Sequence, residues 1–315
     1  MIKILANDGI HPDAKFLLEE SGFQVDTEKI AQDDLMDKLP DYDAIIVRSA
    51  TKVRKELIDH CPNLKVIARA GVGLDNIDHE YARSIGREVM NTPAASSEAV
   101  AELVFGHMFN VARYLHQANR DMKDGDFKQL KKAYSKGFQL RGKTLGIIGF
   151  GRIGRETARI GIGMGMNILP VDLLPDLDVA IDLNLYQSNQ IKLAVKVPTV
   201  DMDTMLRNSD FISIHVPTSN GAIIGEYELQ LMKPTATIIN TSRGGMIDET
   251  ALLDALDKGE IGFAAIDVFE DEPTPGKDLL NHPLISVSPH IGGSTVEAQT
   301  NIGMELADKL IAYFS

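Results

Sequence analysis

The run Thr144–Ile148 leads directly into GFGRIG, with Gly149, Gly151 and Gly154 in G-x-G-x-x-G spacing. A helical stretch over 155–162 follows, then a second apolar run, Ile168–Val171, closed by Asp172, 18 positions after Gly154. Glycine-rich turns are common by themselves. A strand before, a helix after and an acid about 20 residues on restrict the chain to a βαβ unit that binds a dinucleotide. Gly149 permits the tight turn, Gly151 lets backbone approach a pyrophosphate, and Gly154 lets helix and strand pack closely. The free N–H groups of Arg152, Ile153 and Gly154 sit at the positive end of the helix, where phosphates bind. Asp172 can accept from adenosine ribose hydroxyls and would repel a 2′-phosphate, so NAD is expected in preference to NADP.

Short Ile- and Val-rich runs alternate with helical patterns along the whole chain. Strands are expected over 2–6, 44–47, 66–69, 89–91, 144–149, 167–171, 211–215, 237–240, 262–267 and 284–288. Such near-continuous apolar runs suit strands buried on both faces of parallel sheets, so the class is doubly wound α/β. The stretch from Glu98 to about Asn119 reads as one long helix with Ser97 as its N-cap. A boundary is placed just before it and another near Pro289, giving one domain from 1–97 with 290–315 and a second from 98–289. The last helix, about Thr295–Tyr313, is expected to return to the first domain. The stretch from Leu173 to Asp201 is longer than a βα connection needs.

Lys and Arg number 32 against 45 Asp and Glu, a net charge of −13, so no basic nucleic-acid footprint is present. Nucleic acid is therefore not an expected partner. An acidic protein that takes an anionic substrate must place cations locally. The single cysteine, Cys61, permits no internal disulfide and fits a reducing, cytoplasmic setting. MIKILANDGI is a short strand pattern rather than a leader, and no apolar run approaches a membrane span, so no membrane association is expected. No set of His, Cys and acids has metal-ligand spacing, so no metal is expected.

Three further segments each follow a strand. INTSRGGMID carries Arg243, AAIDVFEDEP carries Asp267 and Glu272, and SVSPHIGGS carries His290. Their places at the carboxyl ends of parallel strands are where open α/β sheets bind ligands. Together with GFGRIG and RAGVGLDNID (69–78), these strings resemble the D-2-hydroxyacid dehydrogenase family over essentially the whole chain. VRSATKVR (47–54), RAGVG, NTP (91–93) and MKDG (122–125) are similar to the phosphoglycerate dehydrogenases of that family.

The resemblance implies a flavodoxin-like substrate domain split by an inserted Rossmann-like NAD-binding domain. By motif, Arg243 would bind the substrate carboxylate and carbonyl oxygen. His290 would be the general acid in reduction and the base in oxidation, paired with Glu272. Asp267 would hold the nicotinamide carboxamide. Backbone N–H groups at Gly71, Val72 and Gly73 would help bind the carboxylate. These roles are chemically apt, because hydride transfer builds charge on oxygen that a proton donor and a fixed cation relieve.

For a phosphorylated substrate, Arg48 and Arg69 end two strands and are expected to face the interdomain cleft. Where the phosphoglycerate enzymes often carry Trp and Arg after the MKDG turn, this chain has Asp126-Phe127-Lys128-Gln129, so Lys128, Lys131 or Lys132 are substitute phosphate contacts. After NTP it has Ala94-Ala95-Ser96 where Asn is frequent. His215 reads as packing near the cofactor, and His107 and His116 as structural or interfacial.

The reaction implied is oxidation of 3-phosphoglycerate to 3-phosphohydroxypyruvate at the entry to serine synthesis. No regulatory domain is expected after the last helix. The alternatives are a glycerate/hydroxypyruvate or D-lactate type dehydrogenase and, on the same scaffold, an NAD-sensing interaction protein. The apolar Glu98–Asn119 stretch, together with the family likeness, implies a homodimer.

Overall fold

The apolar runs form two parallel sheets in a computed structural model, which describes residues 1–174, 177–183, 191–218 and 221–315. The chain divides into one unit of Met1–Ala99 with Gly293–Ser315 and another of Val100–Gly292.

The first unit carries β1 (Lys3–Ala6), β2 (Gln24–Asp26), β3 (Ala44–Val47), β4 (Val66–Arg69) and β5 (Glu88–Asn91), in the order β2-β1-β3-β4-β5, all parallel. This is the flavodoxin-like order. Side chains alternate across the sheet as a period of two demands. Ile4, Ala6, Ala44 and Ile46 pack with Leu18 and with Leu306 and Leu310 of the C-terminal helix Val296–Phe314. Leu5, Ile45 and Val47 pack on the other face with Leu35, Leu57 and Ile58. Thr295 caps the C-terminal helix by accepting from Ala298 N–H. The three-residue edge strand β2 is absent from the sequence expectation, since only Val25 of its residues is buried and no pattern marks it.

The second unit carries β6 (Thr144–Ile148), β7 (Asn167–Val171), β8 (Leu177–Leu183), β9 (Ile191–Val197), β10 (Phe211–Ile214), β11 (Thr237–Asn240), β12 (Phe263–Ile266) and β13 (Ile285–Val287). Its parallel sheet has the order β13-β12-β11-β10-β6-β7. The order reverses between β6 and β10, and such a switch point leaves a crevice outside the strands' carboxyl ends.

Two expectations for the Glu98–Asn119 stretch need correction here. Glu98–Asn119 is not one helix. A helix over Ser97–Arg113 ends at Tyr114, whose φ is 55, and a second runs over Leu115–Asp121. The Tyr114 ring packs against Tyr134 and Phe263, with centroids 5.7 and 6.0 Å away. Asn110 Oδ1 accepts the His116 N–H at 2.8 Å, replacing a helical bond. Ser97 is the first helical residue rather than the cap. The long Leu173–Asp201 stretch contains an antiparallel hairpin, β8 with β9. Val179 and Val197 join the cluster of Phe105, Leu145, Ala158 and Phe211. Residues 175–176 and 184–190 of that stretch lie outside the described ones.

Candidate functional site

The GFGRIG loop has the tight turn and the close approach of helix to strand that its glycines allow. Gly149 has φ 89, and a Cβ there would lie 2.6 Å from the His215 carbonyl oxygen. A Cβ on Gly154 would lie 2.1 Å from the Gly149 oxygen, so helix and strand are in contact. Gly151 N-caps the helix Arg152–Gly163, and a Cβ there would meet only open space. Among the described residues nothing requires that glycine. Arg152, Ile153 and Gly154 form the first turn, whose N–H groups lack intrahelical acceptors.

Asp172 follows β7. It accepts from Phe150 N–H at 2.6 Å and Leu174 N–H at 3.1 Å. Partial burial opposes its charge, but these backbone donors, Leu173 N–H and the Arg155 charge outweigh it and hold the carboxyl below its usual range. It is thus held in its ionised form at the end of β7. Behind the loop, His215 Nε2 bonds Ser213 Oγ at 2.9 Å and Thr157 Oγ1 at 3.2 Å, while its buried Nδ1 has no partner among the described residues. Burial pushes this imidazole down to about 3.

Arg243 comes from the loop after β11. Asn240, the last strand residue, turns that loop back on itself. Its Oδ1 accepts from Ser242 N–H and Oγ–H at 3.0 and 2.8 Å, and its Nδ2 donates to the Arg243 carbonyl at 2.8 Å. Arg243 Nη1 donates to the Ser242 carbonyl at 2.6 Å. Next to it, Gly244 crosses the loop after β12 so closely that a Cβ would lie 1.9 Å from the Phe269 oxygen. That crossing places the Arg243 loop against the loop that carries Glu272.

Glu272 Oε1 accepts from Phe269 N–H at 3.0 Å, and Oε2 meets His290 Nδ1 at 2.8 Å. Nδ1–H therefore donates to the carboxylate and Nε2 faces away from it. The His290 side chain is 47% exposed, so a ligand can reach it. His290 has φ 53, an unusual value for a residue with a Cβ. Its N–H donates to the Asp267 carbonyl at 2.8 Å. The Asp267 carboxylate accepts from Ser288 Oγ–H at 2.5 Å and from the N–H groups of Ile291 and Gly292 at 2.9 Å each. Asp267, 1% exposed, thus clamps the backbone around His290. Sequence reading missed Ser288 and the role of His107, whose Nε2 meets Ser288 Oγ at 2.9 Å. The position of Ser288 two residues before His290 was the available signal.

In the first unit, Arg48 and Arg69 stand at the carboxyl ends of the paired strands β3 and β4. Arg48 is exposed, and its N–H is held by Asp8 Oδ2 at 2.8 Å. The Arg69 guanidinium lies over Gly71, where a Cβ would come within 2.4 Å of Nη1. Gly71 N–H donates to the Arg69 carbonyl at 2.9 Å, and Asn91 Nδ2 donates to the Val72 carbonyl at 2.7 Å, which fixes the turn through Gly73. Cys61 is fully buried, and burial raises its thiol to about 11, as an inert core residue requires.

The model for the NAD-binding domain of D-isomer specific 2-hydroxyacid dehydrogenases matches residues 105–292. The chain belongs to that family. As a D-2-hydroxyacid dehydrogenase it is an NAD-dependent enzyme acting on a small hydroxy acid. It is 40% identical over 315 residues to a hydroxypyruvate reductase of Thermotoga maritima, covering 98% of this chain and 97% of the relative. It is 41% identical over 313 residues to a D-3-phosphoglycerate dehydrogenase of Methanocaldococcus jannaschii, covering 98% of this chain but 57% of the relative. The dehydrogenase thus spans a little over half the length of that phosphoglycerate enzyme. Among solved structures, an NADPH-dependent glyoxylate/hydroxypyruvate reductase of Sinorhizobium meliloti superposes with a TM-score of 0.82 at 28% identity, over 100% of this chain and 95% of that one. Among its described residues the dehydrogenase has no helix long and apolar enough to cross a membrane.

Proposed function

We propose that this dehydrogenase oxidises 3-phosphoglycerate to 3-phosphohydroxypyruvate, the entry to serine synthesis. The observation that carries the reading is the pair Arg48 and Arg69 on neighbouring strand ends beside the Gly71–Gly73 turn. A phosphorylated acid brings about two extra negative charges into a chain of net charge −13, and two local cations answer that need.

In this reading Arg243 grips the carboxylate and the C2 oxygen, and arginine suits that role because it stays charged and donates two parallel bonds. Val72 and Gly73 N–H groups add to the carboxylate site, the Gly71 N–H being engaged by Arg69. His290 Nε2 takes the C2 hydroxyl proton in oxidation and returns it in reduction, while Glu272 orients the ring and balances the imidazolium. Bound NAD supplies the acceptor for the C2 hydride. Gly149, Gly151, Arg152, Ile153, Gly154 and Asp172 hold it, and Asp267 Oδ2 keeps a lone pair for the carboxamide. Phe109, Leu115, Met122 and Phe127 are exposed on neighbouring helices and suit a homodimer face in a cytoplasmic protein. Light scattering tests that assembly.

A second reading, hydroxypyruvate reductase, is favoured by the near full-length match to the Thermotoga protein. Steady-state rates with 3-phosphohydroxypyruvate, hydroxypyruvate and glyoxylate separate the two. Arg48→Ala and Arg69→Ala are expected to lower kcat/KM for the phosphorylated acid about 10- to 150-fold, the worth of one charge-assisted bond, and to spare hydroxypyruvate. Equal losses on both, or a parent enzyme that prefers the unphosphorylated acid, remove the phosphoglycerate assignment.

A further inference from the structure

A chain of buried and half-buried polar side chains runs from the helix Ser97–Arg113 to the loop that carries His290. Asn110 Nδ2 lies 2.7 Å from Ser286 Oγ, which lies 2.9 Å from His107 Nδ1. His107 Nε2 lies 2.9 Å from Ser288 Oγ, and Ser288 Oγ lies 2.5 Å from Asp267 Oδ1. His107, Ser286 and Asp267 are each at most 5% exposed, so water has little access to these three.

Proton counting gives the chain a single direction. The Asp267 carboxylate only accepts, so Ser288 spends its one hydroxyl proton there. Ser288 Oγ must then accept from His107, which puts a proton on Nε2. At the other end Asn110 Nδ2 can only donate, so Ser286 accepts from it and has its own proton free for His107 Nδ1. Nδ1 is therefore bare. The imidazole is neutral, and burial accordingly holds His107 below the usual histidine range against the pull of Asp267. Each donor polarises the next, and the last acceptor is the carboxylate that fixes Ile291 and Gly292 around His290.

We propose that His107 is a positioning residue for proton transfer. Its Nε2–H, through Ser288, locks the Asp267 carboxylate in the orientation that holds His290 in its left-handed backbone conformation. The inference rests on His290 being the residue that moves the proton. His107 marks this chain, since a core position on an apolar helix has no packing need for an imidazole.

Two measurements test it. The first is ¹⁵N spectroscopy of the intact protein at a pH where exposed histidines are charged. The expected result is a neutral imidazole with its proton on Nε2 that disappears in His107→Leu, while the signal of the other buried neutral ring, His215, stays. A proton on Nδ1, or a charged ring, overturns the direction of the chain and the proposal with it. The second is kinetic. His107→Leu should lower kcat about 3- to 10-fold, the range of one neutral hydrogen bond, with a smaller change in the Kd for NADH. His107→Gln, which keeps a donor and an acceptor, should recover most of that loss. Ser288→Ala should cost little more in the His107→Leu background than His107→Leu alone, because one chain is broken either way. Full kcat in folded His107→Leu, or fully additive losses, overturns the proposal. Should His107→Leu fail to fold, the spectrum of the parent and the kcat of Ser288→Ala still decide. His290→Ala is run beside them. Normal turnover there removes His290 from the chemistry, while a loss there with intact His107→Leu leaves the site reading standing and removes only the inference.

Discussion

Gly244→Ala adds one methyl group at the crossing of the two loops that carry Arg243 and Glu272. Its Cβ would sit 1.9 Å from the Phe269 carbonyl oxygen, 2.3 Å from its carbon and 2.8 Å from Glu270 N. All three are backbone atoms, so no side chain can swing aside. Bringing the nearest contact back to 3.0 Å, the floor for real Cβ atoms, parts the two loops by about 1 Å. Overpacking of this kind costs about 1–3 kcal/mol of stability. Catalysis should suffer more, because a displacement of about 1 Å costs about 10²-fold in a reaction that depends on alignment. Adjacent Gly245 is the control. Its φ is 75, but a Cβ there meets nothing closer than Glu270 Cγ at 3.7 Å. Gly245→Ala should therefore lose about 1 kcal/mol to backbone strain and keep more of its rate. Stopped-assay kcat/KM for the 2-oxo acid, with the melting temperature of each variant, separates the effects. Parent-like kcat/KM in Gly244→Ala would refute the claim that this crossing aligns the site.

Three further outcomes follow from the same geometry. His290→Ala should lower kcat about 10²–10⁴-fold, the usual worth of a general acid–base, with NADH binding retained by fluorescence titration; nearly full turnover would end that assignment. Asp172→Ser should narrow the preference for NADH over NADPH about tenfold or more, the scale of a charged hydrogen bond, and a parent enzyme that uses both equally would contradict the role of this acid. His215 titrates near 6.5 when unfolded but at about 3 in place, so its contribution is present above pH 6.5 and is lost as the pH falls toward 3. The loss should amount to about 1.4 kcal/mol per pH unit in that window, measured as the difference in urea-unfolding free energy between the parent and His215→Gln; parallel pH profiles would show that the ring is not buried neutral.

The dinucleotide loop was legible because its constraints are local. Gly149 and Gly154 each avoid a clash with a neighbour only a few residues away or one strand across. The parallel strands were legible from apolar runs, although several begin or end one residue away from where those runs do, because the terminal residues of an element fray. Features that depend on remote partners were not. The break at Tyr114 is held by rings at 134 and 263 and by the Asn110 side chain, none of which alters helical periodicity. The β8–β9 pairing lies in a stretch where residues alternate in character, Asp178 opposite Lys196 and Val179 opposite Val195, and only the register discloses the hairpin. Gly244 is one half of a Gly-Gly pair in the sequence, and only its neighbour Phe269, far along the chain, shows why a side chain is forbidden there.

The His290 loop explains why so much buried polarity collects around one exposed ring. A left-handed backbone at a residue with a Cβ costs about 1–2 kcal/mol, and it persists only where the surroundings overdetermine it. Here they do so from both sides of the peptide. The Asp267 carbonyl takes the His290 N–H, and its carboxylate takes the next two N–H groups. Glu272, itself fixed by Phe269 N–H, takes Nδ1. With Nδ1 committed, only Nε2 is left to exchange a proton, and its direction is set by backbone bonds rather than by a freely rotating side chain. A looser loop would let the ring turn either nitrogen outward, and in the role proposed for His290 the orientation would then have to be recovered at every turnover.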